Sequence, residues 1–180
     1  CPGWQGFDQT TDEQVQARIA NAEIVITNKV VLNEETIESA KNLKLICVAA
    51  TGINNVDIQT AVAKGVAVCN VNDYATNSVS EHVFAMLLTF TRQLKRYESY
   101  VKNKQWEQSD QFCILGEGIR ELANQTLGII GYGTLGRNIA KLAQAFGMQI
   151  IVCQRPGIKD TRPLRLPLKK LLPEVDALTI

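Results

Sequence analysis

The chain has 180 residues, 46% hydrophobic and 21% charged, an ordinary globular composition with room for one large domain or two small ones. A net charge of +1 argues against a dedicated nucleic-acid surface or a polybasic membrane patch. No apolar run approaches the ~20 residues of a membrane-spanning helix, and no signal peptide is recognisable.

Residues 1–22 are polar, and Thr11-Asp12-Glu13 opens a short helix carrying Val15, Ile19 and Ala20. Ile24-Val25-Ile26 reads as a short buried strand. Asn33 caps a helix that runs through Ala40, with Glu34 and Glu35 suited to its positive end. Leu45 to Ala50 is the next strand and ends in Thr51-Gly52-Ile53-Asn54-Asn55-Val56-Asp57. A helix follows to Lys64 with Gly65 as its cap, and Val66 to Cys69 is a third strand. Strands alternating with helices of this length imply a parallel sheet. Thr51-Gly52 admits two readings. One is an anion nest at a strand's carboxyl end before a helix start, suited to a substrate carboxylate. The other is a plain glycine turn with Asp57 as helix cap. Asn54 and Asn55 read as turn residues.

Asn70 to Asn77 is a loop, and Ser78-x-x-Glu81 is a capping-box signature for a long helix. Val79, Val83, Met86, Leu87 and Phe90 form its expected apolar stripe, and the pattern continues with breaks to about Lys102. His82 is the sole histidine, off that stripe and without a nearby nucleophile, which leaves a catalytic role poorly supported. Residues 105–125 are irregular, with Trp106, Phe112 and Ile114 as expected anchors.

Leu127 to Ile130 is an apolar run that reads as a strand buried on both faces. It meets Gly131-x-Gly133-x-x-Gly136, after which Leu135, Ile139, Leu142 and Phe146 fall at helical spacing until Gly147. Strand, glycine turn and helix in that order are the context of a dinucleotide fingerprint. Gly131 permits the tight turn, Gly133 lets backbone approach a diphosphate, and Gly136 lets helix pack close to strand. The helix start then offers N–H groups and a positive dipole end to the anion. A second strand, Gln149 to Cys153, leads to Gln154 and Arg155. Arg155, Lys159, Arg162, Arg165, Lys169 and Lys170 then face one acid, Asp160, a run that is ordinarily just solvated. Its place after the second strand is also where an adenosine ribose would lie. Only three strands are expected from the fingerprint onward, at about 127–130, 149–153 and 176–180.

The five cysteines form no C-x-x-C pair. Cys47, Cys69 and Cys153 lie in apolar runs and read as small buried hydrophobes rather than a disulfide frame, so the cytoplasm is the expected compartment. No His/Cys/Asp/Glu grouping has zinc spacing, and neither G-x-S-x-G nor a P-loop lysine occurs.

Leu45–Asp57 (LICVAATGINNVD), Gly65–Val71 (GVAVCNV), Ser78–His82 (SVSEH), Glu121–Gly136 (ELANQTLGIIGYGTLG) and Asp176–Ile180 (DALTI) together resemble the D-2-hydroxyacid dehydrogenases. The likeness is strongest to their glycerate dehydrogenase/hydroxypyruvate reductase branch. That family usually has Gly-Lys where this chain has Asn124-Gln125. The resemblance implies an α/β protein of two doubly wound parallel-sheet domains. A flavodoxin-like substrate domain would occupy residues 1–76, and a Rossmann dinucleotide-binding domain residues 77–180. Both are expected to be incomplete, the first lacking its first strand and the second its C-terminal part, with the long helix from Asn77 as a strut between them.

The implied activity is hydride transfer between NAD or NADP and a small 2-keto or 2-hydroxy acid, hydroxypyruvate/glyoxylate to D-glycerate/glycolate in type. By resemblance, Thr51 and Gly52 face the substrate carboxylate, with Thr51 also toward the nicotinamide. Val79 lines the nicotinamide pocket, and Thr134-Leu135 backbone touches the diphosphate. The family's catalytic Arg, Glu and His are expected beyond Ile180, so this chain is assigned none. A homodimer without nucleic-acid or membrane partners is expected. The rival reading is a non-enzymatic dinucleotide sensor of the corepressor kind. Gln154 stands where an NAD site carries an acid, and Arg155 beside it favours NADP.

Overall fold

Alternating strand and helix signals resolve into two units in the computed structural model, Cys1–Tyr74 and Ala75–Ile180. The structure describes residues 3–115, 118–158 and 164–180.

In the first unit three four-residue strands, β1 (Ile24–Thr27), β2 (Leu45–Val48) and β3 (Ala67–Asn70), pair in parallel in the order β1-β2-β3. The helices are α1 (Asp12–Ile19), α2 (Glu34–Ser39) and α3 (Ile58–Ala63). Their starts follow local chemistry, since Asn33 Oδ1 accepts from the Thr36 N–H at 2.9 Å and Asp57 Oδ1 from the Thr60 N–H at 3.0 Å. Val15, Ile37 and Ala61 from these helices meet Ile46 and Val48 of β2 in one core. Alternation sends the other side chains of each strand to the opposite face. There the expectation of a buried first strand fails: Ile24 and Ile26 are 58% and 54% exposed. β1 is an edge strand whose inward positions are Val25 and Thr27.

Cys47 and Cys69 share that outer face and are not the buried hydrophobes expected. Cys47 is half-buried and Cys69 exposed, as Cys153 of the second unit is half-buried.

The second unit contains α4 (Thr76–Thr91), α5 (Leu94–Lys102), β4 (Thr126–Ile129), α6 (Thr134–Ala145), β5 (Gln149–Cys153), β6 (Arg165–Leu166), α7 (Leu168–Leu171) and β7 (Ala177–Thr179). A 3-10 turn spans Leu172–Glu174. The strands pair in parallel in the order β6-β5-β4-β7. Among the described residues four strands stand where three were expected. β6 escaped notice because two residues carry no periodicity, and its pairing with Val152 and Cys153 alone makes it a strand. Lys159, Asp160 and Arg162 of the basic run lie outside the described residues.

α4 begins at Thr76 with Ala75 before it and no side-chain cap, so Ser78 and Glu81 lie inside the helix instead of forming its capping box. Its stripe is also turned from the expected one. Ser80 and Phe84 are buried and Val83, Leu87 and Leu88 pack beside them, while Val79, Met86 and Phe90 are 36%, 46% and 68% exposed. The reason lies on the neighbouring helix. Ser80 Oγ donates to Thr76 O at 2.7 Å and accepts from Asn138 Nδ2 at 2.9 Å, which points that face of α4 at α6. Phe84 and Phe146 then stack, 5.1 Å between centroids. On α6 the buried residues are Gly136, Ile139, Ala140 and Ala143, with Leu135 and Phe146 on its exposed flank. In the irregular stretch Phe112 is 96% exposed and anchors nothing, and Trp106 is 39% exposed beside Tyr97. Among the described residues of that stretch, Leu122 is the buried one. Asn124 has φ +66, a left-handed backbone that asparagine tolerates where the resembled family places glycine.

β4 is central and buried, and Gly128 belongs to it for packing. A Cβ there would come within 2.9 Å of Leu178 Cδ1 and 3.0 Å of both Leu171 Cδ2 and Val175 Cγ1. We expect Gly128→Ala to cost about 1–3 kcal/mol through overpacking, read as a lower urea midpoint at unchanged slope.

Among the described residues no helix is long and apolar enough to cross a membrane.

Candidate functional site

Going from β4 to β5 to β6 the sheet grows one way, and β7 then adds on the other side of β4. The order reverses at β4, and ligands of open α/β sheets bind outside the carboxyl ends of strands at such a point. The chain leaving that end is the glycine turn. Gly131 has φ +89, a backbone open to glycine. A Cβ on Gly133 would meet nothing within 4 Å, so this backbone faces open space. Gly136 is the opposite case. A Cβ there would overlap the Gly131 carbonyl oxygen and lie 3.1 Å from its carbon and 3.3 Å from Ile129 Cγ2. The first turn of α6 therefore presses against the loop at Gly136 and stands clear of it at Gly133. No side chain caps α6, and Thr134 and Leu135 are its first residues. The orphan N–H groups and dipole end of that turn suit an anion. These features fit a dinucleotide diphosphate.

The adenosine side of such a ligand would lie at the end of β5. Gln154 is half-buried, with its N–H donating to Leu166 O at 2.8 Å, and Arg155 is exposed. Arg165 of β6 lies over the Tyr132 ring of the glycine turn, 5.4 Å from its centroid. Sequence reading missed this contact. Its one signal was the Leu-Arg-Leu alternation of residues 164–166, hidden within a run of charge.

In the first unit Thr51 and Gly52 follow the carboxyl end of β2 and are both exposed. Neighbouring strand ends fix them. Asn70 Nδ2 donates to Thr51 O at 2.7 Å, and Thr51 Oγ1 donates to Val71 O at 3.2 Å. A helix start does not adjoin Gly52, because α3 begins at Ile58 and the Asp57 carboxylate occupies its N-terminus. The helix-assisted half of the nest reading is therefore corrected, and the turn's own N–H groups remain. Asn55 is structural, its Nδ2 donating to Val30 O at 2.9 Å. Asn70 was not singled out in the sequence, where an asparagine ending a strand carries no distinctive pattern.

The two units thus carry separate halves of the predicted residues. Thr51 and Gly52 stand together in the first, and Val79, the glycine turn, Gln154 and Arg155 belong to the second. His82 is exposed on α4. Among the described residues no three His, Cys, Asp or Glu side chains are grouped to hold a metal ion.

A family model described as "D-isomer specific 2-hydroxyacid dehydrogenase, catalytic domain" matches residues 5–159. A glycerate dehydrogenase of Methylorubrum extorquens is 39% identical over 173 residues, 94% of this chain and 53% of the relative. A hydroxypyruvate reductase of Blautia hydrogenotrophica is 34% identical over 180 residues, 97% of this chain and 56% of the relative. The chain spans about half the length of the curated relatives it matches. The solved D-lactate dehydrogenase of Aquifex aeolicus, complexed with NAD and lactic acid, superposes with a TM-score of 0.70 at 31% identity, covering 91% of this chain and 49% of that one.

Proposed function

The chain belongs to the D-isomer specific 2-hydroxyacid dehydrogenases, and on that premise we propose that the protein carrying it reduces small 2-keto acids with a nicotinamide dinucleotide. Hydroxypyruvate and glyoxylate, giving D-glycerate and glycolate, are the substrates favoured by the names of its relatives. The observation that carries the reading is the contrast within the glycine turn. Backbone is packed shut at Gly136 and open at Gly133, at the strand end where the sheet order reverses.

The bound cofactor supplies the hydride. Gly131, Gly133 and the Thr134-Leu135-Gly136 backbone hold its diphosphate by N–H donation at the start of α6. Gln154 and Arg155 serve its adenosine ribose, and Val79, 36% exposed on α4, lines the nicotinamide pocket. In the first unit the Thr51-Gly52 turn receives the substrate carboxylate. Asn70 holds the Thr51 carbonyl at 2.7 Å and so keeps that turn in place. We assign no proton donor among these 180 residues: His82 is exposed, and among the described residues no carboxylate pairs with it to orient it. A homodimer in the cytoplasm completes the reading.

Incubating the full-length protein with hydroxypyruvate and reduced cofactor tests it by loss of reduced-cofactor absorbance. We expect turnover by the full-length protein and none by the 180-residue chain. Cofactor binding without turnover by the full-length protein would favour a dinucleotide sensor instead. Turnover by the 180-residue chain that His82→Ala abolishes would hand the acid's role to His82.

A further inference from the structure

On the outer face of the first unit's sheet, two thiols stand side by side. Cys47 of β2 and Cys69 of β3 are partners in the parallel register, and their Sγ atoms are 3.5 Å apart. Neighbouring strands run about 4.7–4.9 Å apart, inside the Cα separation of about 4.4–6.8 Å that disulfides span. Closing the bond brings the sulfurs to about 2.05 Å, a movement that side-chain rotation at both residues supplies. Cys69 is exposed and open to attack or attacking, and Cys47 behind it is half-buried.

We infer that Cys47 and Cys69 form a reversible oxidation site, closing to a disulfide when a low-molecular-weight disulfide such as glutathione disulfide reaches Cys69. In the first step the Cys69 thiolate attacks one glutathione sulfur. A Cys69–glutathione bond forms, and one glutathione leaves as thiolate. In the second step the Cys47 thiolate attacks Cys69 Sγ, the Cys47–Cys69 bond forms and the second glutathione leaves. The two protein thiols lose two protons and two electrons, and glutathione disulfide gains both to become two glutathiones.

The order of steps follows from the surroundings. Desolvation of the half-buried Cys47 pushes its thiol above the usual value, and the hydrogen bond and charge of Cys69 beside it add to that. A raised value leaves less thiolate at neutral pH, so Cys47 is the slower initial nucleophile. Once Cys69 is glutathionylated, Cys47 lies next to an electrophilic sulfur and proximity takes over. The tie would form one residue before Asn70, whose side chain holds the Thr51 carbonyl at 2.7 Å. Oxidation therefore braces the two strand ends that position the Thr51-Gly52 turn.

The test uses the full-length protein, incubated with glutathione disulfide, alkylated and digested. Trypsin cuts after Lys44, Lys64 and Arg92, so the two thiols fall in separate peptides, residues 45–64 and 65–92. We expect these peptides to be recovered as one disulfide-linked species with neither thiol alkylated, and dithiothreitol to separate them. In a Cys47→Ser variant the reaction should halt at a stable glutathione adduct on Cys69. Free, fully alkylated thiols at both positions would overturn the inference. So would wild-type protein that keeps glutathione on Cys69 while Cys47 alkylates.

Discussion

Replacing Gly136 by alanine is expected to cost the second unit about 3 kcal/mol or more, and to weaken cofactor binding at least tenfold with it. The methyl group would overlap the Gly131 carbonyl oxygen, which is backbone and cannot rotate away. Relief requires α6 to move off the loop. That movement breaks the packing of Ile139, Ala140 and Ala143 on β4 and misplaces the helix start to which we assign the diphosphate. In a unit of this size each kcal/mol lowers the thermal midpoint by about 4–8 °C, so a fall of more than about 10 °C is the readout. Gly133→Ala separates fold from function. Its Cβ meets nothing within 4 Å, and the residue's φ of −82 suits alanine. Stability should change by only about 1 kcal/mol or less, the cost of a poorer helix cap, while nicotinamide dinucleotide affinity falls. Unchanged affinity in Gly133→Ala would refute the diphosphate assignment. An unchanged melting point in Gly136→Ala would refute the packing argument.

In the full-length protein, kcat/KM with NADPH should exceed that with NADH by about tenfold. An NAD-type site places a carboxylate at the end of the second strand, accepting from the ribose 2′-OH and repelling a 2′-phosphate. Here that place is taken by Gln154, a neutral amide, with Arg155 immediately after it. A hydrogen bond from a guanidinium to phosphate is worth about 1.5–3 kcal/mol. Arg155 is exposed and water competes for it, so the low end of that range applies. Arg155→Ala should then lower kcat/KM for NADPH and leave that for NADH unaltered, which separates phosphate recognition from general damage. Equal values for the two cofactors, or a preference for NADH, would defeat the assignment. An unaltered NADPH value in the variant would do so as well.

Much of this molecule was legible residue by residue. The glycine spacing of 131–136, the caps at Asn33 and Asp57, and the alternation of short strands with helices are local chemistry. Each depends on neighbours within a few positions, and each stands where the sequence placed it. The family was readable for the same reason, since its motifs are contiguous strings. What the sequence could not determine were the choices made by residues far apart in the chain. Val79, Met86 and Phe90 are as apolar as Val83, Phe84 and Leu87, yet a hydrogen bond from Asn138 to Ser80, 58 positions away, selects the second set for burial. Ile24 and Ile26 have strand sequence, but only the packing of the helices against Val25, Ile46 and Val48 leaves those side chains on the outer face. Arg165 and Leu166 read as part of a solvated run until β5 pairs with them and Tyr132 comes under the guanidinium. Cys47 and Cys69 are two unremarkable thiols until the parallel register sets one beside the other. Pattern and capping act through backbone geometry within a turn or two of chain, and a sequence displays them. Which face is buried, which strand is an edge and which side chains meet depend on long-range pairing, and only the folded chain decides them.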